Sequence, residues 1–592
     1  MAAVDLDESG QLREVFVQPG ESHLVKVPAI LRTLLGSCVG IAFRVPRLGV
    51  GALCHPMLPR SPARPPVPLG RSAGRRFVDF AIRDMASQLD AIGANRGEVE
   101  VKIFGGGDVL LVANPSARPT VGKLNIESAQ RILAEEGFAK LPRRTGIKVG
   151  RTIKGAQIPE RSQTIGMADL EGQSFECAGA GAFLFAPLLA QLDLPGVVRS
   201  AGLPESKAIP ALSYFLSFLT LKLLGTERYA HVSDHAFDPG LGLFAGLNVL
   251  PKCTAMSTYS YSLDDVHIHK LQAAFVKKAQ KLGLYEGDII NLDFHTMPHY
   301  GDESVLEKHW AGARGKVMKG ALTLIAQDAG SKLMVYTASD IQREEADDQV
   351  LQFNTYWEGI HNGKASPKFI FDSRLTSYKQ LSALNAGGVK FITLRRRGKT
   401  LVQDIAKIKD WTKIHIPHAK RKYPDPEVHA SEVKLTGYQG KVRQVVMRGN
   451  GHEEPAIVIT NDFEVPLELL VGDYARRWRV ENGIAEAVKF FHLNSLSSPI
   501  LVKIHFDVAL SMIADTLYSM LAHKLRGFEE CNAPKICRDF VQGTATVTVK
   551  EGKVTVTYPK KAHNPVLRQV PWQLLPMELP GMGGAPLELR FL

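Results

Sequence analysis

The stretch TLLGSCVGIAFRVPRLGVGALCHPMLP, residues 33–59, decides the fold at the start of the chain. It contains two apolar, β-branched runs, CVGIAFRV and LGVGALCH, and Pro46 and Arg47 between them mark a tight turn. A two-residue turn at that point places Cys38 opposite His55 on paired antiparallel strands. Directly opposed side chains in such a pair have Cβ atoms about 4.5–5.5 Å apart. The stretch therefore predicts a β-hairpin that brings a thiol close to an imidazole.

The predicted Cys38–His55 pair suits nucleophilic catalysis, because the thiolate is the reactive form of cysteine and an adjacent base produces it. Thr33 lies nearby and is expected to orient the imidazole. The glycine turn in LGSC offers backbone N–H groups for an oxyanion hole beside the sulfur. Cys54 points to the other face of its strand and is expected in the core. The alternative is structural, since free cysteines and single histidines are often buried packing residues.

TLLGSCVGI and three later pieces together resemble the CheD family of chemoreceptor glutamine deamidases. The later pieces follow in the family's order, within residues 12–153, as GALCHPMLP, VKIFGGGDVL and VGKLNIESAQRIL. The resemblance implies an α/β sandwich over residues 1–155 that acts without a cofactor. It implies Cys38 as the nucleophile, His55 as the base and Thr33 as the third site residue. It also implies methyl-accepting chemotaxis receptors as substrates and CheC-like chemotaxis proteins as partners.

The C-terminal end of this first domain is expected to be truncated. Deamidases of this kind continue past the position of Gly150 and Arg151 through one more strand-forming segment, whereas GAQIPERSQTIG follows here. Loss of that strand leaves an unpaired sheet edge, which is an expected source of instability.

The composition of the 592-residue chain indicates several globular domains, with 45% hydrophobic and 22% charged residues. Its net charge of +12 suits a polyanionic partner such as nucleic acid, and LRRRGK at 394–399 is one local basic run. Such runs are usually solvated surface, and only a second signal makes them DNA contacts. Six cysteines without CxxC spacing favour a reducing compartment over a disulfide scaffold.

Neither the start of the chain nor its most apolar run predicts a membrane segment. The first residues, MAAVDLDESGQLREV, are acidic and lack the apolar core of a signal peptide. The run ALSYFLSFLTLKLLG at 211–225 is short for a bilayer and contains Lys222, so it predicts a buried helix. These features predict a cytoplasmic protein without membrane insertion.

The rest of the chain divides into three parts by its hydrophobic pattern. Residues 156–285 predict a linker and a mostly helical region. Residues 286–540 follow the order βββαβαβ, which is typical of a ribonuclease-H-like sheet, with a basic, strand-rich insertion at about 400–470. Residues 541–592 are rich in Pro and Gly and predict a poorly ordered C-terminal tail.

Three carboxylates become candidate site residues on that predicted sheet. Asp293 closes the first strand and Asp372 closes the fourth, and these strands are neighbours in a ribonuclease-H-like order. A third carboxylate, Glu481, shares a helical face with Tyr474 and Arg477 in YARRWRVENGIAEAVKFF. Carboxylate oxygens suit hard divalent cations, which can activate the attacking and leaving oxygens of a phosphodiester. The alternative for the helix is an exposed face with ordinary i,i+4 ion pairs.

The pieces NLDFHTMPHYG, FIFDSRLTSYKQL and YARRWRVE together resemble DDE transposases of bacterial insertion sequences. They match the branch with a Tyr-Arg-Glu-Lys signature, over about residues 165–540. The resemblance implies that Asp293, Asp372 and Glu481 are catalytic and hold Mg²⁺ or Mn²⁺. It also implies that the protein binds DNA transposon ends and acts as a dimer.

The same resemblance implies that Tyr474, Arg477 and Lys489 contact DNA near the cut. The family signature places its lysine seven residues after the glutamate, where this chain has Val488, and Lys489 follows one position later. One extra position turns a side chain by about 100° around the helix axis. Lys489 therefore departs from the signature.

The sequence as a whole predicts a multidomain α/β protein. A CheD-like α/β sandwich precedes a ribonuclease-H-like α/β domain with a β-rich insertion. The predicted function is deamidation of receptor glutamines, fused to a transposase that cleaves and transfers DNA strands. Two alternatives stay open: a fusion made by an insertion element in which only the transposase half is active, or an N-terminal half that is a non-catalytic chemotaxis binding module.

Overall fold

The structure is a computed structural model that divides into two compact units, Met1–Gly155 and Ala156–Leu592. It describes residues 14–17, 19–26, 29–33, 35, 38–61, 74–106, 121–138, 161–300, 306–361, 367–416, 425–449, 454–496 and 500–592.

In its described residues the first unit contains a four-stranded sheet, a separate strand pair and two helices. Its strands are β1 (Glu14–Phe16), β2 (Ser22–Val25), β3 (Ile30–Arg32), β4 (Val39–Val45), β5 (Val50–Cys54) and β6 (Glu100–Gly105), and its helices are α1 (Val78–Ala91) and α2 (Val121–Glu135). Four strands form an antiparallel sheet in the order β2-β5-β4-β6, while β1 and β3 form a parallel pair. The apolar faces of α1 and α2 share one core with the sheet, which confirms the predicted α/β architecture. Among the described residues, β6 pairs only with β4.

The turn between β4 and β5 is longer than the two residues predicted. A 3₁₀ segment spans Pro46–Leu48, and Gly49 closes it with φ of 63°. Glycine populates this left-handed region without a steric penalty, so the connection takes four residues instead of two.

The longer turn shifts the hairpin register by two residues from the prediction. The pairing places Ile41 opposite Cys54, so the same register places His55 opposite Gly40. Cys38 precedes Gly40 by two residues. Strand side chains alternate between faces with a period of two, so a two-residue shift keeps every side chain on its predicted face. The predicted direct opposition of Cys38 and His55 is therefore wrong, while their common face is correct.

The second unit begins with a helical region. Its elements are α3 (Met167–Leu170), β7 (Ser174–Cys177), α4 (Ala186–Gln191), α5 (Leu194–Ala201), α6 (Ala211–Leu223), α7 (Pro239–Phe244), α8 (Cys253–Tyr259) and α9 (Asp265–Lys281). Helix α6 is the predicted buried helix, and the Lys222 Nζ on it lies 2.7 Å from the carboxylate of Asp507. Within the described ranges no single helix is long and apolar enough to cross a membrane. The bent helix pair Ala180–Gln191 and Leu194–Ala201 meets the length and composition required of a membrane span.

A ribonuclease-H-like sheet follows the helical region. Its elements are β8 (Ile289–Pro298), β9 (Lys308–Ala311), β10 (Lys316–Asp328), β11 (Met334–Ile341), α10 (Gln349–Ile360), β12 (Lys368–Phe371), α11 (Tyr378–Ala386) and β13 (Phe391–Leu394). The strand order is β11-β10-β8-β12-β13. The first three strands are antiparallel, and β8, β12 and β13 run parallel. This order confirms the predicted fold class.

The predicted β-rich insertion extends the same sheet. It contains α12 (Lys399–Ala406), β14 (Thr412–Lys413), β15 (Glu427–Val433), β16 (Val442–Arg448) and β17 (Ala456–Thr460). Strand β17 pairs antiparallel with β13, so the sheet continues as β13-β17-β16-β15-β14. Helices α13 (Leu467–Arg476), α14 (Trp478–Phe490), α15 (Leu501–Ala522) and α16 (Ala533–Ile536) follow the insertion.

The prediction of a poorly ordered tail at 541–592 is wrong. This segment folds into β18 (Ala545–Lys550), β19 (Lys553–Tyr558), α17 (Asn564–Gln569), β20 (Glu578–Leu579) and β21 (Ala585–Phe591). With β7 it forms a five-stranded sheet in the order β20-β21-β19-β18-β7. The signal is visible in ATVTVKEGKVTVTY, which alternates with period two around Glu551 and Gly552. Both turn residues have positive φ, 53° and 66°, as in tight β-hairpin turns.

Candidate active sites

The backbone of Cys38 is held by a glycine-rich segment at the end of β6. The N–H of Gly106 donates to the Cys38 carbonyl oxygen at 2.8 Å. A Cβ on Gly105, whose φ is 85°, would lie 2.4 Å from that oxygen, so only glycine fits there. Gly36 and Ser37, in the predicted oxyanion-hole turn, lie outside the described residues. Gly105 and Gly106 of the sequence motif thus position the residue that carries the thiol.

The imidazole of His55 is held by Thr33. His55 is 1% exposed and directly follows β5, and its Nδ1 lies 2.7 Å from Thr33 Oγ1. The same hydroxyl donates its hydrogen to the Val17 carbonyl oxygen at 2.7 Å, so it accepts a hydrogen from Nδ1. Proton placement on Nδ1 leaves the lone pair on Nε2, which has no hydrogen-bond partner in the described structure. Thr33 therefore sets the tautomer in which Nε2 can accept a proton.

The strand register places Cys38 and His55 on the same face of the sheet, with His55 opposite Gly40. Gly40 carries no side chain, and a Cβ there would come within 2.9 Å of Leu35 Cδ1. Burial raises the pKa of the Cys38 thiol above its ordinary value and lowers the pKa of the His55 imidazole. Both shifts favour an uncharged thiol beside an uncharged base. The sequence prediction did not identify Gly40 as a site residue, because its role depends on the shifted register.

Cys54 is the core residue that was predicted. It is completely buried, and burial raises the pKa of its thiol to about 12. A thiol with so high a pKa carries almost no thiolate at neutral pH. Cys54 is therefore an unreactive thiol next to His55, and it can serve as a control for Cys38.

The second candidate site lies on the ribonuclease-H-like sheet. Asp293 lies within β8 instead of closing it, because β8 continues to Pro298. The parallel pairing of β8 with β12 sets Leu292 opposite Phe371, so Asp293 and Asp372 are at the same level on neighbouring strands. Burial, together with the nearby carboxylates of Glu481 and Asp372, raises the pKa of Asp293 to about 6, although the Arg477 guanidinium acts to lower it. The structure thus brings the three predicted carboxylates within electrostatic range.

Arg477 supplies the positive charge among these carboxylates. Its guanidinium lies 3.3 Å from Asp293 Oδ2 and 2.7 Å from Glu481 Oε1. It also lies 5.9 Å from the ring centroid of Tyr474. In this arrangement no three His, Cys, Asp or Glu side chains among the described residues are grouped as ligands of one metal ion. Oxygen donors of this kind suit a hard divalent cation.

The predicted single helix through this motif is interrupted. Helix α13 ends at Arg476 and α14 begins at Trp478, so Tyr474 and Glu481 belong to different helices that meet at Arg477. Lys489 is exposed on α14 and has no hydrogen bond or ion pair to the three carboxylates within the described part of the chain. The structure therefore places Tyr474 and Arg477 beside these carboxylates, while the DNA contact of Lys489 stays a prediction.

Comparison with known proteins assigns the first unit to a family and adds little for the second. The profile of the CheD family, described as CheD chemotactic sensory transduction, matches residues 57–156. A "probable chemoreceptor glutamine deamidase" of Geobacter sulfurreducens is 32% identical over 24% of this chain and 83% of its own length. A protein of the same name from Maridesulfovibrio salexigens is 32% identical over 24% of this chain and 85% of its own.

One solved structure is similar to the larger part of the chain. A piggyBac transposase synaptic complex with hairpin DNA matches 61% of this chain and 78% of its own at 11% identity. The TM-score is 0.33, so the likeness is too weak to bear on fold or function.

Proposed function

Because the N-terminal unit of this chain belongs to the CheD family, we propose that it deamidates glutamine side chains of methyl-accepting chemotaxis receptors. The observation that carries the proposal is the hydrogen bond from His55 Nδ1 to Thr33 Oγ1, which leaves Nε2 free on the face shared with Cys38. This is the arrangement that a thiol and a general base need for acyl transfer. CheC-like chemotaxis proteins are proposed partners, and the cytoplasm is the proposed location.

In the proposed reaction, Cys38 Sγ attacks the carboxamide carbon of the glutamine. His55 Nε2 takes the thiol proton and delivers it to the departing nitrogen, which leaves as ammonia. The C–N bond breaks as the C–S bond of a thioester forms. Water then attacks the thioester with His55 as base, which restores the thiol and releases glutamate.

The direct test incubates the full chain with the cytoplasmic fragment of a chemoreceptor. Peptide mass spectrometry follows each glutamine, because replacement of the amide nitrogen by oxygen changes the peptide mass. Conversion of defined glutamines supports the proposal. Binding of the fragment without conversion, by a folded chain, favours the non-catalytic binding module instead.

Replacement of Thr33 by valine is expected to lower kcat for deamidation about tenfold to a hundredfold while KM stays close to the parent value. Valine has nearly the shape of threonine but no hydroxyl to accept the hydrogen bond from His55 Nδ1. The tautomer that leaves the lone pair on Nε2 is then no longer fixed. The measurement is steady-state deamidation of a receptor peptide.

The matched control for this change is Thr33→Ser, which retains the hydroxyl and is expected to recover most of the rate. Equal losses in the serine and valine variants would show that Thr33 contributes packing alone.

The pH dependence of deamidation follows from the two buried groups. Burial lowers the pKa of His55, so the base becomes protonated, and the rate falls, only below its usual pKa of about 6.5. Burial raises the pKa of Cys38, so any second limb lies above the usual thiol value of about 8.5. A plot of kcat/KM against pH is expected to be flat between these limits. A decline between pH 7 and 8 would instead indicate a preformed thiolate–imidazolium pair.

We propose a second activity, metal-dependent DNA strand cleavage and transfer, for the larger unit. It is supported by the ribonuclease-H-like sheet and by the electrostatic coupling of Asp293 to Asp372 and Glu481. Mg²⁺ or Mn²⁺, when held by these carboxylates, supplies activation of the attacking and leaving oxygens. Tyr474 and Arg477 are proposed to contact the DNA strand near the cut, and the active form is proposed to be a dimer on transposon ends.

The test for the second activity mixes the chain with DNA that carries its own flanking element ends, with Mg²⁺ or with EDTA. Nicks that appear at defined positions only with Mg²⁺ support the proposal. Cleavage without deamidation would favour a fusion in which only the transposase half is active.

A further inference from the structure

A cavity of about 320 Å³ lies at the ends of β12 and β13, beside the second candidate site. Ser373 lines it, and the Ser373 hydroxyl donates to Asp372 Oδ1 at 3.1 Å. The described lining contains five serine and threonine hydroxyls and two cationic side chains, Lys379 and Arg396, but no carboxylate. A wall of hydroxyl groups and cations is suited to an oxyanion.

The N-terminus of α11 opens on this cavity. The helix begins at Tyr378, and its N-cap residue Ser377 makes no side-chain hydrogen bond to the first turn. No acidic residue lies in that turn either. The first N–H groups of a helix lack intrahelical partners and carry partial positive charge, so they attract anions.

Thr393 provides an independent sign of a ligand site. It lies on β13, lines the cavity and is 1% exposed. Its Oγ1 is buried and has no hydrogen-bond partner in the described structure. A buried hydroxyl without a partner destabilises the fold, and an acceptor group bound in the cavity would remove that cost.

The three arginines that follow β13 differ in their hydrogen-bond and ion-pair partners. Arg395 donates to Gln444, and Arg397 pairs with Glu454. Arg396 turns to the cavity, where it donates to the carbonyl oxygens of Ser373 at 3.1 Å and Thr376 at 3.4 Å. Within the described residues it has no carboxylate partner, so its charge is available to an anion.

We propose that this cavity binds a backbone phosphate of the DNA strand next to the bond that is cut at Asp372. The inference rests on the proposed strand-cleavage function and names where its substrate is held. A phosphate there accepts hydrogen bonds from Thr393, the first turn of α11 and Arg396. It fixes the register of the strand without reading its sequence.

The test measures binding of a fluorescein-labelled DNA duplex to the full chain by fluorescence anisotropy, in EDTA and over a series of KCl concentrations. Arg396→Gln is expected to weaken binding about tenfold and to reduce the slope of log K against log salt by about one. Thr393→Val is expected to weaken binding about fivefold without lowering the unfolding temperature, because valine removes an unpaired hydroxyl. The matched control, Arg397→Gln, is expected to bind like the parent.

The possible results distinguish failure of the proposed phosphate site from failure of the proposed strand cleavage. If the parent binds DNA and the Arg396→Gln and Thr393→Val variants bind equally well, the cavity proposal is overturned while strand cleavage stands. An equal loss in Arg397→Gln overturns it as well, because general surface charge then explains the effect. A parent chain that binds no DNA overturns both proposals.

Discussion

Replacement of Cys38 by alanine is expected to abolish conversion of receptor glutamine to glutamate, with a loss of at least about four orders of magnitude in kcat. Alanine removes the only atom that forms the covalent bond, and His55 alone cannot replace a nucleophile. The alanine side chain fits the half-buried position without strain, so folding is expected to persist. Peptide mass spectrometry of a receptor fragment checks the rate, and circular dichroism checks the fold.

The control for this change is Cys54→Ala in the same hairpin. Cys54 is fully buried on the opposite face, so its loss is expected to cost about 1 kcal/mol of stability while deamidation continues. The pair of variants separates loss of the thiol from disturbance of the hairpin. Residual deamidation in Cys38→Ala at the parent rate would remove Cys38 from the mechanism.

Replacement of Asp293 or Asp372 by asparagine is expected to lower Mg²⁺-dependent DNA cleavage by about a thousandfold or more. Asparagine keeps the shape but not the negative charge, and the site then holds a cation poorly. Burial raises the pKa of Asp293 to about 6, so its charged form weakens the fold above that pH. Asp293→Asn is therefore expected to keep or raise the unfolding temperature at neutral pH while cleavage is lost.

The exposed Asp404 on α12 supplies the matched control. Among the residues that the structure describes it pairs only with Lys407 at the surface, so Asp404→Asn is expected to cleave DNA like the parent. Equal cleavage by the Asp293→Asn, Asp372→Asn and Asp404→Asn variants would assign the strand chemistry to other residues. A parent that cleaves equally well in EDTA would exclude the proposed metal requirement.

The hairpin shows which parts of a site follow from sequence. Alternation of apolar residues determined which face each side chain takes, so Cys38 and His55 were placed together on one face. The turn type determined the register, and the 3₁₀ turn closed by Gly49 was not foreseen from Pro46 and Arg47. A shift by an even number of residues kept the two side chains on one face and placed His55 opposite Gly40.

The second site also combines features that follow from the sequence with features that depend on tertiary contacts. The βββαβαβ pattern predicted the strand neighbours, and the neighbours in turn brought Asp293 to Asp372. The break between α13 and α14 and the bridge that Arg477 makes from Asp293 to Glu481 depend on contacts between distant segments. No local pattern in YARRWRVE reports those contacts.

The sequence by itself determined the two-part organisation, the faces of the strands and the strand order of the large sheet. These features depend on local periodicity and short motifs, which act over a few residues. Tertiary structure alone decided the tautomer of His55, the counter-charge at Asp293 and the pairing of β7 with a C-terminal strand that folds in place of a tail. Each of these depends on burial and on partners far along the chain, because hydrogen bonds and desolvation act between residues that only the fold brings together.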